Sequence, residues 1–158
     1  MIAHVLATLT LLAVALLLGA TCYEGVVMAP NYERDVPASL ELARRFLQRT
    51  TPAHYFRVVA PLAQILALLT VIAGWNGPGR QAFAVALGLL IIADVITFTF
   101  HYPRLAVMFK STEPVDSVRL VRTAREWSTG NWIRAAILVL VFMAVLHGVL
   151  QLARQGRG

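Results

Sequence analysis

The sequence predicts an all-α fold: an integral membrane four-helix bundle with two interfacial loop helices and a parallel two-fold internal repeat. Three observations predict it. Only 14% of the residues are charged and the mean hydropathy is +0.69, whereas soluble domains carry about 25% charged residues. Four segments, 2–28, 53–75, 81–102 and 132–153, are predominantly apolar, and a helix needs roughly 20 apolar residues to cross a bilayer. The two long polar loops between them each carry a helix pattern of their own.

The first segment has no basic n-region, is too long for a secretory signal and lacks a small-x-small site before Glu24. It therefore reads as a retained span. The loop after it contains "DVPASLELARRFLQRT", where Pro37 suits a first helical turn and Leu40, Ala43 and Leu47 recur at helical spacing. The second span opens with Thr51 as N-cap and Pro52 at the first helical position. "NGPGR" at 76–80 is a tight-turn signal joining it to the third span. The loop after the third span contains "STEPVDSVRLVRTAREW", with Pro114 in the first turn and Val118, Val121 and Arg125 following. Ser128, Thr129 and Gly130 weaken the helix there, so continuation into the fourth span and a break before it both remain open. A single cysteine, Cys22, excludes an internal disulfide and a thiolate metal cluster, and reads as a small packing residue.

Shifting the chain by 77 residues superposes its halves, 1–77 and 78–158, without gaps. Pro37 falls on Pro114, Arg45 on Arg122, Arg57 on Arg134, His54 on Asn131, Tyr55 on Trp132 and Glu24 on His101. The offset contains two spans, so the halves share one orientation and are related by an axis along the membrane normal.

Both long loops lie on one face, here side A. Glu24, His54, His101 and Asn131 then fall at similar depth near side A, one from each span. Asp94 and Thr97 lie deeper, on the stripe of the third span that leads to His101. Polar groups inside a membrane face the bundle interior or a water-filled cavity. The expectation is one pocket with His101, His54, Glu24 and Asp94 as catalytic groups, and Asn131, Arg57, Arg134, Tyr55 and Trp132 binding substrate. Each has a plainer reading. Glu24 can pair with Arg134 or Arg57 and only hold helices together. His101 can be an interfacial imidazole, His54 a loop contact and Asp94 a helix-packing group. Tyr55, Trp75, Trp127 and Trp132 fit an aromatic belt, and His4 and His147 lie on side B, away from the cluster.

Glu24, His54 and His101 form a candidate metal set for iron, copper or zinc, but no HExxH, ExxH or His-x-His spacing supports it. His54 or His101 could ligate a haem axially, though there is no CxxCH. No Gly-rich phosphate loop occurs. The net charge of +6 does not point to nucleic acid, because the basic residues are interleaved with acids on the loop helices. It speaks to orientation instead. Side A carries 11 Lys and Arg and side B carries 3, so side A should be cytoplasmic and both termini outside the cytoplasm, in a bacterial inner membrane.

"YEGVVMAPNYERDVPASL", "TPAHYFRVVAPL", "DVITFTFHYPRLAVMF" and "EWSTGNWIR" together resemble the four-span DUF1772 family, which includes the fungal anthrone oxygenases. The resemblance covers most of the chain. It implies a small membrane-embedded protein, in some members oxidising a polycyclic anthrone to an anthraquinone with dioxygen. The mechanism that joins both lines has His101 or His54 removing an acidic proton from a flat apolar substrate. Arg57 or Arg134 then stabilises the enolate or phenolate, and dioxygen is the co-substrate, with a metal assisting or with none. The rival reading is a non-catalytic membrane binding module or accessory subunit of a larger membrane complex. A third is a small transporter, for which four spans would need a homo-oligomer. The partners expected are the lipid bilayer and an apolar small molecule.

Overall fold

The computed structural model describes residues 1–111 and 116–155; Pro114 and Arg157, the latter one of the three basic residues counted on side B, lie outside the described residues. Those residues form an all-helical fold with four helices long and apolar enough to cross a membrane. Helix α1 (Ile2–Tyr23) runs through a π-helical turn (Glu24–Met28) into α2 (Ala29–Glu33), one rod of 32 residues. Helix α3 (Ala38–Phe46) is the first loop helix, with Pro37 at its N-cap, and α4 (Pro52–Ala73) is the second span. Helix α5 (Arg80–Ile96) runs through a second π-helical turn (Thr97–His101) into α6 (Tyr102–Phe109). Helix α7 (Ser117–Gln155) is a single rod of 39 residues.

The spans pack as a ring. α1 packs on α4 and α7, and α5 packs on α4 and α7, while the backbones of the diagonal pairs stay apart among the described residues. Alanines dominate the meeting faces: Ala7, Ala13, Ala63, Ala67, Ala86 and Ala93 are all buried. Small residues let helix backbones approach closely where lipid supplies no hydrophobic drive between spans. Thr10 and Thr70 share a buried hydroxyl–hydroxyl hydrogen bond of 2.9 Å between α1 and α4. The outward faces carry Leu12, Leu16, Ile65, Val85, Ile92 and Leu140, all exposed, as expected of helices whose solvent is lipid. A second cluster of Tyr32, Leu40, Met108, Leu120, Ala124 and Trp127 covers the side-A end.

Two features differ from simple expectation. The second loop helix merges with the fourth span, which resolves the alternative left open at Ser128–Gly130. Gly130 is buried, and a Cβ there would lie 2.4 Å from Phe100 Cε1. A bulkier residue could not sit there, and packing of Trp127 and Ala124 on α2 and α6 outweighs the weak local propensity. The first and third spans, moreover, run on past their side-A prolines. The residue just before each proline closes a wide turn: Ala29 N–H donates to Glu24 O, and Tyr102 N–H to Thr97 O. Shifting the ladder from i−4 to i−5 lets Pro30 and Pro103, which lack an N–H, begin a new helical stretch rather than break the rod.

Candidate functional site

The side-A half of the bundle contains a buried ionic network and, beside it, a crevice. The network begins at Glu24, in the first π-turn and 8% exposed. Arg134 of α7 donates from Nη2 to Glu24 Oε2 at 2.8 Å and to Asn131 Oδ1 at 2.8 Å. Asn131 Nδ2 in turn donates to Thr21 O at 3.0 Å. Gly25 makes this approach possible, since a Cβ there would lie 3.1 Å from both Asn131 Nδ2 and the Trp132 ring. A carboxylate and a guanidinium buried together offset the desolvation cost that either would carry alone. The Arg134 guanidinium also lies over Phe56, 4.8 Å from the ring centroid, and its Nε has no partner among the described residues.

The crevice lies between α4 and the α5–α6 rod, and has two chambers that share Arg57 and Tyr102 in their walls. The deeper one, about 310 Å³, is walled by Leu17, Phe56, Ala93, Phe98 and Leu138, with Asp94, Thr97 and Arg134 among them. Gln64 of α4 donates to Asp94 Oδ2 at 2.7 Å, so an amide–carboxylate clasp ties the second and third spans together. Pro61, one turn above Gln64, removes the helical hydrogen bond that would end on the Arg57 carbonyl, and both residues wall this chamber. The side-A chamber, about 570 Å³, is bordered by Glu24, Tyr32, Arg44, His54, Lys110 and Trp127.

The residues singled out from sequence divide as follows. Glu24 and His54 do border one chamber, and Asp94, Arg134 and Arg57 border the other. Asn131 and His101 line neither. His101 is 1% exposed, sits edge-on to Trp127 and Phe100, and has no hydrogen-bond partner on either ring nitrogen among the described residues. His54 serves as a helix cap: its Nδ1 accepts from Thr51 N–H at 3.1 Å and lies 3.1 Å from Thr51 Oγ1. A ring nitrogen that accepts a backbone N–H carries no proton, so neutral His54 holds its proton on Nε2 and presents a donor, not a base. The expected metal set of Glu24, His54 and His101 does not converge. No group of three or more His, Cys, Asp or Glu comes together among the described residues, because Glu24 is held by Arg134, His54 by Thr51, and His101 is walled in by rings. Tyr55 and Trp132 sit on the outer surface, 39% and 48% exposed, with Tyr55 donating to Leu16 O at 3.2 Å. Sequence reasoning missed Gln64, although a lone amide in mid-span carries the same signal as Asp94. It also missed Tyr102, the last residue of the third predicted span, which lines both chambers.

Fold and site together define a polytopic helical bundle with a buried ionic network beside a crevice between two spans. Comparison of the chain with protein-family models, with characterised proteins and with solved structures gives no match.

Proposed function

We propose that this is a membrane-embedded, oxygenase-like protein acting on an apolar, aromatic small molecule in the crevice between α4 and α5. One observation carries the reading: a carboxylate, Asp94, and a guanidinium whose Nε has no partner among the described residues, Arg134, wall the same largely apolar chamber. A substrate enters laterally from the bilayer, past Phe98 and Pro61. Asp94 Oδ1, the oxygen not held by Gln64, takes an acidic C–H proton in the low-dielectric chamber, and Arg134 holds the enolate oxygen that results. Dioxygen, which partitions into lipid, accepts an electron pair from the carbanion and forms a C–O bond. Loss of water leaves a ketone, so that a methylene and dioxygen become a carbonyl and water. The base here is Asp94 rather than either histidine, since His101 is sealed off and His54 presents a proton. The resemblance to the anthrone oxygenases favours the same chemistry, and the side-A chamber lies on the face the basic residues assign to the cytoplasm.

The rival, a non-catalytic binding module, is favoured by the involvement of both candidate imidazoles in packing or capping. Purified protein in lipid nanodiscs, given anthrone in air, separates the two. Oxygen uptake matching anthraquinone formation, reduced about a hundredfold or more in Asp94→Asn with binding retained, is expected from loss of a general base. Binding of anthrone by the wild-type protein without oxygen uptake would establish the binding module instead.

A further inference from the structure

The side-A chamber differs in character from the deeper one. Arg44, Arg57 and Lys110 border it, against the single carboxylate of Glu24. That carboxylate is already matched by Arg134 at 2.8 Å. Arg44 donates to the Met108 carbonyl, which fixes its place in the wall without neutralising its charge. Arg57 and Lys110 make no ion pair among the described residues. Thr51, Pro52 and Ala53 form another part of the wall, so the positive end of the 22-residue helix α4 faces the same space. His54, through Nε2–H, adds a further donor. These features all favour negative charge, and Arg57 stands in the wall of the apolar chamber as well.

We propose that the molecule taken by the crevice is an amphiphile with an anionic, oxygen-bearing head group. Arg57, assisted by Lys110 and the first turn of α4, binds the head in the side-A chamber while the apolar body occupies the deeper one. This rests on the crevice reading above and adds the chemical class of its ligand. The guanidinium fork suits a carboxylate or a comparable planar oxyanion. The two chambers fall in the range of drug-sized sites, roughly 300–1,000 Å³, which favours a small amphiphile with one short body over a two-tailed phospholipid.

The test uses two probes with the same aromatic body, pyrenebutyrate and pyrenebutanol, with the full chain in phosphatidylcholine nanodiscs. Trp127 borders the side-A chamber, so the readout is energy transfer to pyrene that is lost in Trp127→Phe. The acid should bind about tenfold more tightly than the alcohol, as a charge-assisted contact supplies. Arg57→Gln should abolish that preference while leaving alcohol binding intact, which also shows the variant is folded. Equal binding of both probes, or an acid preference that survives Arg57→Gln, would overturn the head-group assignment and leave the crevice reading standing. Failure of both probes to bind would overturn the two together. Displacement of the acid by phosphatidylglycerol added to the nanodisc, with no displacement by free dodecanoate, would assign the site to a phospholipid and overturn the small-amphiphile class.

Discussion

Glu24 raises the sharpest question at the scale of single residues, because a carboxylate so far along an apolar helix needs a reason. Its partner is Arg134, at 2.8 Å, with Asn131 on the same guanidinium nitrogen. Removing one charge leaves the other buried and uncompensated. Glu24→Ala should therefore destabilise the protein by about 3–5 kcal/mol, and the double variant Glu24→Gln, Arg134→Met should recover most of that loss. Reversible unfolding in mixed micelles measures both, and additive losses in the double variant would argue against the pair. Sequence reasoning offered Arg134 and Arg57 as alternative partners, and hydropathy could not choose between them. The choice depends on which helix packs against α1 at that level and on the side each arginine faces. Both arginines wall the crevice, but only Arg134 reaches the network, although they occupy matching places in the 77-residue alignment.

At the scale of elements, the four spans, the first loop helix and the Thr51 cap were legible, since each is marked by local signals of length, hydropathy and capping chemistry. The partner in the cap was not. A Glu or Gln usually fills the third position of a capping box, and here an imidazole does so, which is why His54 looked free for chemistry. His54→Ala should cost about 1 kcal/mol and speed hydrogen exchange at the first amides of α4 without disturbing the fourth span. Unchanged exchange would show that the imidazole contributes nothing to the cap. The π-turns were also illegible, because they arise from the demand of Pro30 and Pro103 for a carbonyl shift within a rod that packing keeps helical. In the 77-residue alignment Pro30 falls on Val107, one helical turn from Pro103, so the punctuation that shapes the first and third spans follows a different register from the loop helices. Gly130 belongs to the same class of hidden features. Gly130→Ala should destabilise by about 1–3 kcal/mol through overpacking against Phe100, whereas its low helix propensity alone would suggest a gain.

For the whole molecule, the asymmetry of basic residues predicts that both termini lie outside the cytoplasm. A C-terminal reporter active only in the cytoplasm should be silent in cells, and strong activity would reverse the orientation. The ring arrangement has a mechanical consequence. Followed by its closest packing, the bundle is a curled strip, α4 to α1 to α7 to α5, and the two ends of that strip are consecutive in the chain. Where they meet at side B they are tethered by the short turn after Ala73, and deeper in the crevice by the Gln64–Asp94 clasp. Toward side A only the crevice separates them. The protein is thus built like a purse: the seams along α1 and α7 are the closely sewn ones, and the mouth is held by the lighter α4–α5 packing, one hydrogen bond and a few residues of turn.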